Sequence, residues 1–264
     1  MMKTAKALVL KFPGTNCQVE TSLALRRAGF NVTQAHVNEL LRGNMKLDDF
    51  QLLALPGGFS YGDDIASGKV GANKLVFLLR DQLFEFARHN LIIGICNGFQ
   101  TLVKAGLLPA IGGKFEIQST LTFNDIGHFY CNYVKVKNVN KGKCIYTKGI
   151  DCIEFPVAHG EGKFILKDPT MLRTLVENDQ VVFKFVLPNG EPANGLFPYN
   201  TSNTLDDITG VCDPSGRILG MMPHPERYLY RENHPQFTSG KGSNVVNGMI
   251  IFKNAHAYVI ENLL

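Results

Sequence analysis

The segment around Cys96 constrains the fold of this chain more than any other part of its sequence. Residues 91–95 (LIIGI) are apolar throughout, which is typical of a strand buried on both faces of a parallel sheet. Cys96 follows directly, with Gly94 before it and Gly98 after it, and residues 99–105 are predicted to form a helix. A strand, a tight turn that carries a nucleophile, and a helix form a nucleophile elbow, and small neighbours leave room for that turn. The sequence therefore predicts an α/β fold with Cys96 at the carboxyl edge of its sheet.

Alternating strand and helix patterns in the first half support this prediction. Strands are predicted at residues 6–11, 30–36, 50–55 and 91–95, and helices at residues 19–28 and 73–89. Asn73 is the predicted N-cap of the longer helix, whose apolar face is predicted to comprise Leu75, Leu78, Leu79, Leu83 and Phe86.

The second half of the chain changes character. It contains short strands with frequent turns at residues 115–140 and 180–220, a predicted surface loop at residues 232–243 and a predicted final helix at residues 247–264. We expect a single domain over residues 1–264, with a three-layer α/β fold: a mostly parallel central sheet, helices on both faces, and an antiparallel strand extension.

Composition excludes several classes of protein. The net charge of +4 comes without a basic tract, so nucleic-acid binding is not expected. Apolar runs of about six residues fall far short of the ~20 that a membrane-spanning helix needs, and the N-terminus lacks the pattern of a secretory signal. The six cysteines form no C-x-x-C pair, so we expect free thiols and a cytoplasmic location.

A thiol nucleophile requires a base, and His224 is the main candidate among seven histidines. Pro225 favours extended backbone at His224, and residues two apart in an extended segment face the same side. Glu226 is therefore predicted to orient the His224 imidazole, which would meet the Cys96 thiol. Together the three residues satisfy the logic of a catalytic triad.

The glycine-rich segment after the predicted third strand is a candidate for binding a developing oxyanion. Consecutive glycines ending in Gly58 let backbone N–H groups approach a ligand, and the N–H of Asn97, at a helix N-terminus, could supply a second donor. A phosphate-binding loop is excluded, because the spacing from Gly62 to Lys69 is one residue too long and Val70 replaces the required Ser or Thr.

A second histidine–carboxylate pair, His159 and Glu161, leaves an alternative open. Sequence alone does not decide which histidine reaches Cys96. A metal site is not expected at this pair, because no third ligand follows at a suitable spacing.

Taken together, these segments resemble the class I (triad) glutamine amidotransferases, in particular the glutaminase subunits of phosphoribosylformylglycinamidine synthase. The matching segments span nearly the whole chain: FPGTNC (12–17), PGGFSYGD (56–63), GICNGFQ (94–100), AGLLP (105–109), FYCNY (129–133), AHGEG (158–162) and GRILGMMPHPER (216–227). The resemblance implies a flavodoxin-like, three-layer fold.

The resemblance also implies a reaction. Cys96 would attack the side-chain amide of glutamine and release ammonia, with His224 as base and then acid, and Glu226 orienting His224. The backbone around Gly58 and Asn97 would form the oxyanion hole, and Gln100 would help to hold the glutamine.

Ammonia would pass to a separate synthetase subunit in purine biosynthesis. ATP and magnesium are expected on that partner, and no cofactor or metal is expected on this chain; a small third subunit is an open alternative.

Two other functions remain as alternatives from the sequence. One is a related Cys–His–Glu hydrolase or an amidotransferase of another pathway, against which Gln100 and the GGFSYGD segment argue. The other is a catalytically silent scaffold, against which the retention of Cys96, His224 and Glu226 argues.

Overall fold

The apolar segments of the sequence become the strands of a large mixed sheet. The structure is a computed structural model that describes residues 4–240 and 247–264. Its strands are β1 (Lys6–Lys11), β2 (Asn31–His36), β3 (Leu52–Leu55), β4 (Leu91–Ile95), β5 (Ser119–Thr122), β6 (Tyr130–Asn138), β7 (Cys152–His159), β8 (Lys163–Leu166), β9 (Val181–Phe185), β10 (Ile208–Cys212) and β11 (Ile218–Met221). Its helices are α1 (Gln18–Ala28), α2 (Val37–Leu41), α3 (Lys69–His89), α4 (Asn97–Lys104), α5 (Met171–Glu177) and α6 (Met249–Asn262).

Nine strands form the main sheet in the order β2-β1-β3-β4-β11-β10-β9-β6-β7. The pairings from β2 to β11 are parallel, and β3 and β4 are buried along their whole length, as their apolar sequences predict. The pairings from β11 to β7 are antiparallel. Strands β5 and β8 form a separate antiparallel pair.

This arrangement confirms the predicted α/β class with helices on both faces and an antiparallel extension. In the described part of the chain, the main sheet has four parallel and four antiparallel pairings, so the antiparallel extension is as large as the parallel part. Helix α1 packs against α6, and α3 packs against α4. Among the described residues, no helix combines the length and the apolar character needed to cross a membrane.

The prediction for α3 was wrong in two details. The helix begins at Lys69 after Gly68, which adopts a left-handed conformation, so Asn73 lies inside the helix and does not cap it. Leu78 is 58% exposed, although Leu75 and Leu83 are buried as predicted. A break in helical geometry at Leu79, with φ −133° and ψ 19°, changes the face that the second part of the helix presents.

Two other segments differ from the prediction. Helix α4 begins at Asn97, directly after Cys96, rather than at Phe99. The described part of the predicted surface loop contains two short 3₁₀ turns, Arg231–Asn233 and Phe237–Ser239, and between them His234 is buried against Glu154. Residues 241–243 of that predicted loop lie outside the described residues.

The carboxyl ends of the parallel strands bring four loops together. The loops after β1, β3, β4 and β11 all emerge at this edge, because parallel strands end on the same side of a sheet. In the ladder between β4 and β11, Ile95 pairs with Met221, and the Cys96 N–H donates to Met221 O at 2.8 Å. The predicted nucleophile therefore lies one strand away from the segment that carries His224.

Candidate active site

Cys96 occupies the strained turn that the sequence predicts. Its backbone has φ 52° and ψ −107°, a conformation that a non-glycine residue rarely adopts. A Cβ on Gly98 would lie 1.9 Å from Leu55 O, and one on Gly94 would lie 2.7 Å from Gly98 O. Both glycines are therefore required for clearance, as predicted. The Cys96 thiol is buried and donates a hydrogen bond to Ala158 O at 3.5 Å.

His224 and Glu226 form a fully buried pair. His224 Nδ1 and Glu226 Oε1 are 2.6 Å apart. The backbone N–H of His224 donates to Pro156 O at 2.8 Å. The expected reason for this pairing was wrong: Pro225 does not continue an extended segment but begins a 3₁₀ turn, Pro225–Arg227. The turn carries Glu226 back toward the imidazole.

The surroundings of His224 favour its protonated form. Burial acts to lower the pKa of His224, but the Glu226 carboxylate, followed by the nearby Cys96 and Cys17, raises it well above its usual value. His224 Nε2 is buried and has no hydrogen-bond partner among the residues that the structure describes. The Glu226 pairing leaves this nitrogen as the one able to exchange a proton with a thiol.

Gly57 shows how closely the thiols approach the imidazole. A Cβ on Gly57 would lie 2.8 Å from His224 Cε1, 3.1 Å from Cys17 Sγ and 3.4 Å from Cys96 Cβ. Any side chain at this position would collide with His224, so glycine is required where these residues converge.

Cys17 is a residue of this site that sequence reasoning did not identify. It is buried at the start of α1, and its Sγ accepts a hydrogen bond from Arg227 Nη2 at 3.0 Å. The signal that could have found it is its position, since it lies just after β1 and therefore at the same edge of the sheet.

Cys17 also belongs to the group of candidate metal ligands found among the described residues. Its Sγ, a His224 nitrogen and a Glu226 carboxylate oxygen lie within 4.8 Å of one another. His224 and Glu226 already hydrogen-bond to each other, so a metal ion would have to compete with that pair.

The three predicted substrate-binding residues lie at the same edge. Gly58 has φ 143°, and a Cβ there would lie 2.6 Å from Asn16 N. Asn97 begins α4; its side chain accepts the Ser60 N–H at 3.2 Å and donates to Gln100 Oε1 at 3.0 Å. Both side-chain amides are buried and bonded within the protein, so they hold their neighbours in place, while the Asn97 backbone N–H has no partner within the helix.

His159 and Glu161 do not form a second dyad. His159 Nδ1 lies 3.0 Å from Asn124 Oδ1, and its Nε2 lies 3.3 Å from Thr201 Oγ1. Burial, with a smaller effect of His224, lowers the pKa of His159 to about 3. Glu161 instead accepts the N–H of Ser67. The His159 ring is thus neutral and held by other partners.

Comparison with known proteins identifies the family. A model of the CobB/CobQ-like glutamine amidotransferase domain matches residues 4–259. The phosphoribosylformylglycinamidine synthase subunit PurQ of Methanococcus maripaludis (strain C7) is 42% identical over 265 residues, covering 96% of this chain and 97% of the relative. The protein of the same name from Dehalococcoides mccartyi is 42% identical over 255 residues, with the same coverage of 96% and 97%.

A solved structure agrees with this result. A chain in the structure of PurLQS from Thermotoga maritima matches with a TM-score of 0.73 and 29% identity, covering 97% of this chain and 100% of that chain. Family model, sequence relatives and structure all extend over nearly the whole chain, and they confirm the resemblance read from the motifs. This chain belongs to the family of CobB/CobQ-like glutamine amidotransferases.

Proposed function

We propose that the chain is the glutaminase subunit of a phosphoribosylformylglycinamidine synthase and hydrolyses glutamine to glutamate and ammonia. The names of its full-length relatives support the assignment. The observation that carries the chemistry is the buried His224–Glu226 pair, 2.6 Å apart, in the segment that follows β11, the strand paired with β4, which leads into the turn of Cys96.

The first half-reaction forms a thioester. The Cys96 proton passes to His224 Nε2, which gives the thiolate–imidazolium pair that the raised pKa of His224 favours, and the sulfur attacks the side-chain amide carbon of glutamine. The carbonyl oxygen becomes an oxyanion that accepts hydrogen bonds from the backbone N–H groups at Gly58 and Asn97. His224 then donates its proton to the leaving nitrogen, the C–N bond breaks, and ammonia departs.

The second half-reaction restores the enzyme. His224 takes a proton from water, whose oxygen attacks the thioester carbon, and the C–S bond breaks to release glutamate. The proton returns to the Cys96 sulfur. Glu226 holds the imidazole in place and stabilises its cationic form in both steps. Gln100, whose amide is bonded to Asn97 and to Glu161 O, helps to hold the glutamine by keeping these neighbours in place.

The remaining parts of the assembly follow from the same proposal. Ammonia passes to an ATP- and magnesium-dependent synthetase subunit in the cytoplasm, with a small third subunit as a further candidate partner. This chain contributes no cofactor or metal. We propose that residues 1–264 act as one amidotransferase domain, which the family match over residues 4–259 supports.

A glutamine-like chloroketone tests the proposal directly. We expect one adduct on Cys96 by intact mass and peptide mapping, blocked by excess glutamine, with the synthetase partner present. Cys17 is the internal control, since it is a second buried thiol beside the same imidazole. Cys96→Ala should abolish glutamine-dependent synthesis and preserve ammonia-dependent synthesis. If no adduct forms on Cys96 although partner binding is verified, the chain is a scaffold and the proposal is wrong.

A further inference from the structure

A buried pair of opposite charges lies behind the predicted glutamine-binding residues and takes no part in the reaction steps. Lys104, the last residue of α4, is 8% exposed, and Glu161 is 7% exposed. Lys104 Nζ lies 3.9 Å from Glu161 Oε2 and also donates to Leu121 O at 3.0 Å. Lys and Glu are almost never buried to this extent unless they are paired.

Glu161 links two segments that carry predicted glutamine-binding residues, the loop after β3 and helix α4. Its carboxylate oxygens accept the Ser67 N–H at 3.1 and 3.2 Å, and its backbone carbonyl accepts Gln100 Nε2 at 2.7 Å. Ser67 lies near the end of the loop that contains Gly58, whereas Gln100 lies in the first half of α4. One residue therefore holds the loop and the helix in a fixed relation.

The loop needs such anchors because of its backbone conformation. Tyr61, Asp63 and Ile65 all have left-handed φ angles, of 55°, 54° and 69°. Non-glycine residues keep such conformations only where the surrounding structure imposes them. Asn97 Nδ2 holds Asp63 Oδ1 at 3.0 Å, and Glu161 holds the far end of the loop at Ser67.

The charges around Lys104 explain why this anchor depends on protonation. Burial lowers the pKa of Lys104 to about 8; Glu161 and Asp63 oppose this shift, and the second cation, Lys69, adds to it. Burial also raises the pKa of Asp63, to which Glu161 contributes in the same direction. Replacing a buried ion pair by neutral side chains is often neutral or stabilising, so stability alone does not account for this pair.

We propose that Glu161, with Lys104 as its counterion, is a positioning residue for glutamine binding. It fixes Ser67 and Gln100 relative to each other and so sets the geometry of the proposed glutamine site beside Cys96. This inference rests on the proposed glutaminase function. It adds that the Lys104–Glu161 pair affects glutamine affinity more than it affects the rate of the chemical step.

The test measures glutaminase kinetics of the full chain in complex with its synthetase partner. Glu161→Gln replaces the charge-assisted hydrogen bond to the Ser67 N–H by a weaker neutral one and leaves buried Lys104 without its counterion. We expect KM for glutamine to rise about tenfold with kcat changed less than about twofold. Glu177→Gln is the matched control, because Glu177 forms an exposed pair with Arg173 at 2.7 Å, and we expect no change.

The double variant Lys104→Met/Glu161→Gln separates positioning from stability. It removes both buried charges, so we expect a melting temperature equal to or above that of the wild type while KM stays raised. In the wild type, KM should rise above about pH 8 as Lys104 loses its proton, and the double variant should lack this rise.

Two outcomes overturn the inference: an unchanged KM in Glu161→Gln, or a wild-type KM in the double variant. If the single variant fails to fold, the double variant decides. Failure of the proposed function is a different result, since the wild type would then form no chloroketone adduct on Cys96. With the function intact, Glu161→Gln still forms that adduct at saturating reagent.

Discussion

Arg227 Nη2 donates a hydrogen bond to Cys17 Sγ at 3.0 Å, which fixes a second buried thiol beside the imidazole of His224. The contact joins the start of α1 to the turn after β11, two segments far apart in the chain. It makes Cys17 part of the wall around the candidate base.

Removing the Cys17 thiol tests whether it modulates the reaction or is itself required for it. Cys17→Ala should lower kcat/KM for glutamine by less than about tenfold, about 1.4 kcal/mol, because Cys17 only contributes to the raised pKa of His224. The exposed Cys131→Ser is the control and should be unchanged. Steady-state kinetics check both, and a loss as complete as in Cys96→Ala would contradict this view.

Glu226 should control both the rate and the protonation of His224. Glu226→Gln is expected to lower kcat by about 10²–10⁴-fold, since the imidazole loses its orientation and its counter-charge. The Glu226 carboxylate is the largest influence that raises the pKa of His224, so this pKa should fall in the variant. NMR titration of the His224 Cε1–H signal measures the shift, and an unchanged titration would be inconsistent with the pairing.

The same substitution at the two candidate histidines should affect glutaminase activity very differently. His224→Gln should abolish glutaminase activity, whereas His159→Gln should retain kcat within about tenfold, because His159 is held by Asn124 and Thr201. Initial-rate measurements decide between them, and loss of turnover only in the His159 variant would reverse the assignment.

His159 should instead govern stability in acid. Its pKa is lowered from 6.5 to about 3 in the folded state, so the unfolded chain binds a proton that the folded chain refuses between these values. The free energy of unfolding should therefore fall as the pH decreases from 6.5 toward 3. Urea unfolding across this range checks the slope, and His159→Gln should reduce it.

Gly98→Ala should change stability through two opposing effects, a higher helix propensity and a loss of steric clearance. Alanine in a helix interior usually stabilises by ~1 kcal/mol over glycine, but a Cβ here would lie 1.9 Å from Leu55 O. We expect a net loss of about 2 kcal/mol or more, measured by thermal unfolding. Gly71→Ala in α3 is the control, since its Cβ would meet Phe12 at an ordinary 3.5 Å, and it should be neutral or stabilising.

Local sequence patterns predicted those parts of the site that are themselves local. The apolar run of β4, the flanking glycines and the helix after Cys96 lie within one short segment, so their geometry could be inferred directly. The pairing of His224 with Glu226 was predicted for the wrong reason, because the spacing of two residues also fits a 3₁₀ turn started by Pro225.

The parts that were missed depend on distant packing. Cys17 reaches His224, and Lys104 reaches Glu161, only because the sheet order and the packing of α4 bring those segments together. In α3 the break at Leu79 interrupts the helical period, so a face extrapolated from spacing placed Leu78 inside when it is exposed. The position of Cys17 after β1 indicates the edge of the sheet on which it lies, but spacing along the chain does not show which side chains meet there.

The hydrogen bond from the Cys96 N–H to Met221 O, at 2.8 Å, has a consequence for how this enzyme can diversify. Adjacent strands can shift only in whole residue steps, so the spacing between the segments carrying Cys96 and His224 is fixed by backbone geometry. Between Cys96 and β11 the chain forms other strands and helices before it returns to the sheet beside β4. Insertions there can create new outer surfaces for different subunits while the reaction centre keeps its dimensions.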